Sequence, residues 1–193
     1  MILWLDLKIL RAMDTHAVSL FKAPVTNKYP WETMTVGQVF GRIVGPQAKD
    51  ATKHLRSITD KGDAKKFKGK AFDYVTPSGV FSYHSDASLV KHSGLICIDF
   101  DHVADIPALK TTLLHDQYFT TELMFISPSG DGLKWWVPID IAKHPHKMWF
   151  KAMQNYLHAT YGLEADPACI NVSRACFLPY DPECYVNPQI CPF

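Results

Sequence analysis

The feature that most constrains this chain is a short apolar run that ends in two acids. Leu95–Phe100 reads LICIDF, and Asp101 follows it directly. A run of this kind predicts a central strand that is covered on both faces. Residues two apart on a strand point to the same face, so Asp99 and Asp101 would present their carboxylates together. Paired carboxylates suit Mg²⁺ or Mn²⁺, although a strand end facing solvent carries acids as well.

Other patterns along the chain indicate separate strands and helices. His146–Tyr161 repeats apolar residues at helical spacing, and Gly162 stands where a helix C-terminal cap belongs. This mixture favours an α+β sheet with helices against it. The remaining predicted elements are strands at Val18–Phe21, Leu123–Ile126, Lys134–Ile139 and, as the last strand, Phe177–Pro179, a hairpin of Phe72–Val75 and Val80–Tyr83, and helices within Thr35–Ser57 (interrupted at Gly45-Pro46), at Gln47–Thr59 and at Pro107–Leu114.

Length and charge bound the domain count and the partners. The 193 residues fit one domain over 1–193, with 1–16 as an N-terminal extension. The 20 basic and 19 acidic residues give a net charge of +1, so nucleic-acid binding cannot be argued from bulk charge. One local candidate is Lys61–Lys70, which carries five lysines. We predict that it forms a loop, either solvated or in contact with nucleic acid.

Cysteine usage and hydropathy bear on location. The five cysteines are an odd number and form no C-x-x-C pair, which favours a reducing cytoplasm over a disulfide framework. No apolar run reaches the roughly 18 residues that a membrane span needs. We therefore expect a cytoplasmic protein without a membrane partner.

A second candidate motif is the loop Ser127–Lys134, which reads SPSGDGLK. Glycines let backbone amides approach anionic oxygens, and successive amides can form a phosphate-binding nest. A lysine adds a positive charge beside a triphosphate. A plain β-turn between two strands is the alternative. The candidate nucleotide-binding residues in this loop are Ser127, Ser129, Gly130, Gly132 and Lys134.

The segment Asp166–Pro182 supplies further charged residues. Asp166 or Asp181 could add a third carboxylate to a metal site. Arg174 could pair with phosphate in a bidentate manner, or it could form a salt bridge with Asp181.

Taken in chain order, these motifs resemble those of the BT4734-like or VirE N-terminal domain family. That family is itself similar to a branch of the archaeo-eukaryotic primase superfamily. The resemblance covers most of Ala17–Pro182. The motifs that carry it are SGVF within Lys70–Val90, SGLI leading into Asp99-Phe100-Asp101, SPSGDGLK, and SRACFLPYDP.

The resemblance implies a primase-polymerase-like fold, with a mixed or antiparallel RRM-like sheet flanked by helices. It makes Asp99 and Asp101 the metal ligands of the first motif. Lys134 then stands near the place of the histidine in the second motif, S-x-H. For the third motif Asp166 is the nearest match, with Asp181 as its rival, so the implied catalytic and metal-binding residues are Asp99, Asp101 and Asp166.

The implied function is metal-dependent nucleotidyl transfer, of the DNA-directed primase or polymerase type, in a mobile-element or phage replication protein. The implied cofactor is Mg²⁺ or Mn²⁺. The implied partners are a nucleoside triphosphate, a DNA template or primer, and a helicase-type or VirE-like ATPase domain in a longer protein.

Two alternatives stay open. Lysine in place of the usual histidine at Lys134 also fits a catalytically degenerate module that binds nucleic acid or nucleotide and recruits a replication helicase. A rolling-circle initiator or relaxase would instead use His144-Pro145-His146 with Tyr156 or Tyr161 as a nucleophile. Proline between the histidines disfavours the strand that this chemistry uses.

Overall fold

The computed structural model describes residues 16–190, so the predicted extension over 1–16 lies outside the described residues apart from His16. The described residues form an α+β protein with five α-helices and antiparallel strand pairs, which confirms the predicted class. The strands are β1 Ala17–Phe21, β2 Glu32–Thr35, β3 Tyr74–Thr76, β4 Gly79–Phe81, β5 Leu89–His92, β6 Leu95–Phe100, β7 Leu123–Ile126, β8 Leu133–Pro138, β9 Cys176–Phe177 and β10 Tyr185–Val186; the helices are α1 Val36–Val44, α2 Lys49–Ser57, α3 Lys61–Ala71, α4 Ile106–Leu114 and α5 His146–Tyr161.

The strands divide among three antiparallel sheets. The first has the order β2-β1-β3-β9, the second has the order β10-β7-β8-β6, and β4 pairs with β5 in a small third sheet. The two larger sheets share one apolar cluster, to which β1 contributes Val18 and Leu20 and β7 contributes Leu123 and Phe125. The opposite face of the second sheet packs against α4 and α5. The second sheet is therefore the middle layer of three.

Successive side chains of β8 point into the two different apolar clusters on either side of the second sheet. Trp135 and Trp136 are both fully buried, one in each apolar cluster, because successive strand residues point to opposite faces. Neither ring is therefore available to stack on a nucleic-acid base.

Local sequence explains where the helices begin and end. Thr35 caps α1 through a reciprocal capping box with Gln38, and the Gly45-Pro46 pair ends the helix as predicted. α5 coincides with its predicted span and ends at Gly162, whose φ of 65° is the left-handed conformation that glycine adopts readily.

The prediction of a loop over Lys61–Lys70 is wrong. These residues form α3, whose first turn is capped by the Asp60 side chain accepting a hydrogen bond from the Asp63 amide at 2.8 Å. Lysine and alanine are good helix formers, and an aspartate N-cap satisfies a terminal amide. Those two signals outweigh the high charge density that suggested a loop.

Three strand predictions also need correction. β3 and β4 do not form the predicted hairpin, because β3 pairs with β1 and β9 while β4 pairs with β5. β9 is not the last strand, since β10 follows it. β6 is buried on both faces as expected, yet it lies at the edge of its sheet. Its free edge is partly covered by Asp166, whose amide donates to the Asp99 carbonyl at 2.9 Å.

Candidate metal centre

Three carboxylates converge at the end of β6. Asp99 lies within the strand, Asp101 lies just beyond it, and Asp166 opens the short 3₁₀ turn Pro167–Ile170 that covers the strand edge. One ligand oxygen from each lies within 4.8 Å of the other two. Asp99 is buried, Asp166 is half-buried and Asp101 is exposed. The structure thus brings together the three residues predicted as metal ligands, and oxygen donors of this kind could hold a metal ion.

Asp99 is held by a lysine on the neighbouring strand. Lys134 is directly opposite it in the β6–β8 register, and its Nζ forms an ion pair with Asp99 Oδ2. Burial is the largest single effect and lowers the pKa of Lys134, but the charge and hydrogen bond of Asp99 together with the nearby Cys176 and Cys97 raise it, so the pKa lies above its usual value. Lys134 therefore carries a positive charge directly beside the acidic cluster.

The second oxygen of Asp99, Oδ1, is buried and has no hydrogen-bond partner within the described residues. A buried carboxylate oxygen without a donor is costly, so its place beside two other carboxylates fits a cation-binding role.

Arg174 neutralises a second member of the cluster. Its guanidinium forms an ion pair with Asp166 Oδ2 and lies 3.7 Å from Asp99 Oδ2. Burial is the largest single effect and lowers the pKa of Arg174, but the charges of Asp166 and Asp99 together with the nearby cysteines raise it overall. The predicted alternative partner, Asp181, instead accepts hydrogen bonds from the amides of Ile126 at 2.7 Å and Glu183 at 3.0 Å. Asp181 is therefore a structural acid that anchors the segment before β10.

The Ser127–Lys134 loop joins β7 to β8 beside the acids. Its turn is closed by the Ser127 amide donating to the Gly132 carbonyl at 2.8 Å and by the Gly130 amide donating to the Ser127 carbonyl at 2.9 Å. Ser127 is buried, whereas Ser129 is exposed. The hydroxyls and glycines predicted as nucleotide contacts thus lie in one tight turn, with Ser129 open to a ligand, while Lys134 lies just beyond the turn on β8.

Two glycines in this turn are required by its geometry. A Cβ on Gly132 would lie 2.5 Å from the Phe100 carbonyl oxygen, so the turn could not sit against the end of β6 with any other residue. Gly130 has a φ of 86°, which L-residues rarely adopt.

Sequence reasoning missed Arg56 on α2. Its Nε and Nη2 donate to the carbonyls of Pro128 and Ser127, both at 3.3 Å, so it holds the turn in place. A single arginine on an amphipathic helix gives no local signal for such a role.

The helix α3 forms the opposite wall. Lys61, Lys65 and Lys68 recur at spacings of four and three and share one helical face towards the acids. Lys61 and Lys65 have no ion pair with an acid within residues 16–190. Burial, with the charge of Lys134, lowers the pKa of Lys68 below its usual value.

Together these groups line one cleft of about 670 Å³. It has an acidic floor, a basic helical wall and a glycine-containing turn at its rim. That combination suits a ligand that carries several phosphates and a cation. The charged residues lining the cleft are Arg56, Lys61, Lys65, Lys68, Asp99, Asp101, Asp131, Lys134 and Arg174.

The residues considered for a relaxase lie elsewhere and have structural partners. His146 is buried at the start of α5, and its Nδ1 lies 3.2 Å from His92 Nε2. The hydroxyls of Tyr156 and Tyr161 both donate to Asp116 at 2.8 Å. These contacts leave neither tyrosine beside the histidines as a nucleophile.

The fold and the site define an α+β protein with a carboxylate cluster at a strand end and a basic cleft beside it. Residues 66–186 match the family model of the BT4734-like N-terminal domain, and the chain therefore belongs to that family. No curated protein and no solved structure matches the chain. No helix in residues 16–190 is both long enough and apolar enough to cross a membrane.

Proposed function

We propose that this domain is a divalent-metal-dependent nucleotidyltransferase of the primase-polymerase type. The observation that carries the proposal is the buried Oδ1 of Asp99, which has no hydrogen-bond partner among residues 16–190 and lies in a cluster with Asp101 and Asp166. Membership of the BT4734-like family is consistent with this activity, and the basic cleft supplies room and charge for a nucleoside triphosphate.

The donor set favours Mg²⁺ or Mn²⁺, since both prefer carboxylate oxygens over nitrogen or sulfur. Bound there, such an ion would neutralise charge on the reacting phosphate and on the attacking oxygen of a primer strand. Asp99, Asp101 and Asp166 would hold it. Asp99 and Asp166 are already fixed by Lys134 and Arg174, so only Asp101 would need to order.

The chain's own cations would hold the triphosphate. Lys61, Lys65 and Lys68 face the acids across the cleft and would bind phosphate oxygens as point charges. The Arg174 guanidinium would remain between the acids and the phosphates. Preorganised charge of this kind lowers the cost of charge development in phosphoryl transfer, and no covalent nucleophile is needed.

A second candidate function is a binding module without turnover, which recruits a replication helicase. It is favoured by one observation: Lys134 and Arg174 already pair with Asp99 and Asp166, so two of three carboxylates have protein counterions. In this alternative the ion-pair network is structural and the cleft binds a nucleotide or nucleic acid without metal.

Incorporation of labelled nucleotide on a single-stranded DNA template, with and without a primer, tests the proposal. We expect Mn²⁺-dependent incorporation by the wild-type protein and its loss in Asp101→Asn, which removes one ligand charge at an exposed position. Asp50→Asn, on the exposed side of α2, is the control and should retain activity. Metal-dependent nucleotide binding without any incorporation would favour the recruiting module.

The proposal also includes partners, a cellular location and a role in replication. A helicase-type or VirE-like ATPase domain in a longer protein, and a cytoplasmic role in replication of a mobile element or phage, stay predictions. Co-purification of a longer protein with its replication helicase would check them.

A further inference from the structure

A second groove lies next to the cleft and carries exposed aromatic rings. It is formed mainly by the segment 22–31, which links β1 to β2, and has a volume of about 430 Å³. Tyr29 and Trp31 are 75% and 69% exposed, and Tyr83 from the turn after β4 is 39% exposed. Exposed rings gathered at one groove are unusual on a soluble domain and mark an interaction site.

The rings are arranged for contact with flat ligands. Tyr29 and Tyr83 meet edge to face, with centroids 5.2 Å apart. Trp31 lies on the same groove with Lys22 Nζ 6.0 Å from its centroid. Aromatic faces beside cations are the combination on which successive nucleic-acid bases stack while the backbone phosphates are neutralised.

The charge of this groove is positive. The segment 22–31 reads KAPVTNKYPW and contains two lysines and no acid. Lys22 is paired with Asp73 at 3.1 Å, whereas Lys28 Nζ contacts the neutral acceptor His84 Nδ1 at 3.1 Å and has no ion pair with an acid among residues 16–190. Burial lowers the pKa of His84, so this histidine adds no charge of its own near neutral pH. The lysine charge at the groove is therefore available to a phosphate.

The segment is held in shape by its own hydrogen bonds. The Asn27 side chain donates to the carbonyls of Lys22 and Ala23 at 3.1 and 3.0 Å, and the Asn27 carbonyl accepts from the Tyr74 hydroxyl at 2.7 Å. The Trp31 amide donates to the Leu20 carbonyl at 2.7 Å. A preformed groove loses less conformational entropy when it binds a ligand.

The segment that forms the groove also reaches the cleft. Val25, in the same segment, lines the cleft, and its amide donates to the Gly69 carbonyl of α3 at 2.7 Å. On the other side, His84 Nε2 donates to the Ser173 carbonyl at 2.7 Å, next to Arg174 of the acidic cluster. A strand lying on the aromatic rings would therefore lie close to residues that border the cleft.

We infer that this groove binds single-stranded nucleic acid, with bases on Tyr29, Trp31 and Tyr83 and a backbone phosphate at Lys28. The inference rests on the proposed function for the direction of the strand, since the strand would present its end to the cleft. The binding itself needs no metal and no nucleotide. Duplex should bind more weakly, because its bases are already stacked on one another.

Fluorescence anisotropy with a labelled oligo-dT of about 20 nucleotides, longer than the ~4–16 nucleotides that single-strand-binding folds occupy, tests the inference in EDTA. We expect Trp31→Ala and Tyr29→Ala each to weaken binding by about fivefold or more, the loss of one stacked base. Trp31→Phe keeps a ring and should retain most of the affinity. Lys28→Ala should reduce the salt dependence of binding.

Tyr118→Ala is the matched control, because Tyr118 is also 75% exposed and lies outside the groove. Unchanged affinity in Trp31→Ala and Tyr29→Ala would overturn the inference. So would equal loss in Tyr118→Ala, or equal binding of a duplex of the same length. Thermal unfolding of each variant excludes a general loss of structure.

The two proposals fail separately. Metal-dependent nucleotide binding by Trp31→Ala reports on the cleft alone and should match the wild type. If the wild-type protein binds nucleotide but no oligo-dT, the groove assignment is wrong and the proposed metal centre stands. If it binds oligo-dT through the aromatic rings but no metal or nucleotide, the groove assignment stands and the nucleotidyltransferase proposal fails.

Discussion

The two walls of the cleft differ in whether their charged side chains are paired with a counterion. On the sheet wall, Asp99 and Asp166 have fixed counterions, which are Lys134 and Arg174 respectively. On the helix wall, Lys61 and Lys65 are exposed and have no acid partner within residues 16–190. The sheet wall therefore fixes geometry, while the helix wall offers charge to whatever enters.

This difference predicts which substitutions change folding and which change binding. A buried ion pair costs little while intact and much when one partner is removed. An exposed lysine contributes little to stability and acts through its field on a charged ligand. Removing one charged side chain should therefore lower stability on the sheet wall, whereas on the helix wall it should weaken ligand binding and leave stability unchanged.

The largest expected effect is on the sheet wall. Asp99→Ala leaves Lys134 buried without its counterion, so the free energy of unfolding should fall by about 3–5 kcal/mol. Urea denaturation measures this. Asp101→Ala, at an exposed acid, should change stability far less, and adding Lys134→Met to Asp99→Ala should restore much of the loss. Equal effects of the two aspartate substitutions would break the contrast between buried and exposed acids.

The turn that contains Gly132 packs closely against the end of β6, which belongs to the same wall. Gly132→Ala places a Cβ 2.5 Å from the Phe100 carbonyl oxygen, and we expect a loss of roughly 1–3 kcal/mol from the strain. Gly41→Ala is the matched control, because Gly41 lies within α1 and, apart from its chain neighbours and the backbone of α1 itself, no described atom lies within 4 Å of an added Cβ. That substitution should raise stability by about 0.5–1 kcal/mol. Both changes are read from urea midpoints.

Two hydrogen-bonded histidines behind the sheet wall, His92 and His146, form a relay that should make the stability of the protein depend on pH. The Gly94 amide donates to His92 Nδ1 at 2.9 Å, so the His92 proton is on Nε2, which donates to His146 Nδ1. His146 Nε2 in turn lies 3.3 Å from the carbonyl of Cys169, in the 3₁₀ turn that Asp166 opens. The relay needs both rings neutral.

Burial, together with His146, lowers the pKa of His92 from 6.5 to about 4. The unfolded chain therefore takes up a proton first as the pH falls, so stability is present above pH 6.5 and is lost as the pH falls towards 4. We expect the urea midpoint to fall in this window and His92→Gln to flatten the dependence. His115→Gln, at an exposed histidine, should leave the slope unchanged. A flat wild-type profile between pH 6.5 and 4 would contradict the relay.

The smallest effect is expected on the helix wall. Lys65→Ala should weaken triphosphate binding by a few-fold, in line with the roughly 0.2–1 kcal/mol of an exposed ion pair, without changing stability. Lys66→Ala is the matched control, because Lys66 is equally exposed on α3, pairs with Asp63 and does not line the cleft. Titration calorimetry at two salt concentrations distinguishes them, since only the Lys65 effect should shrink with added salt. Identical affinities in both variants would remove the role assigned to this wall.

The contrast between the walls also explains what the sequence could predict. The strand LICIDF and its two acids stand out because a buried apolar run fixes both the element and the face of its side chains. Asp166 could be selected only through the family resemblance, since its meeting with Asp99 depends on a long-range backbone hydrogen bond.

The helix wall escaped prediction for a different reason. Lysine density in Lys61–Lys70 resembles a solvated loop, and the Asp60 cap that starts α3 is a single residue. The mispredicted β3–β4 hairpin has a similar cause, since β3 pairs with β1 more than 50 residues earlier in the chain, although the turn sequence between β3 and β4 is typical of a hairpin. Sequence periodicity reports an element and its faces; it does not report its partner.

The most direct test of the metal centre is calorimetric titration of Mn²⁺ with a non-hydrolysable nucleoside triphosphate into the wild type and Asp101→Asn. The account predicts nucleotide binding that requires Mn²⁺ in the wild type and is lost or strongly weakened in the variant. Nucleotide binding of equal affinity in EDTA, unchanged by Asp101→Asn, would contradict it and assign the carboxylate cluster to a structural ion-pair network.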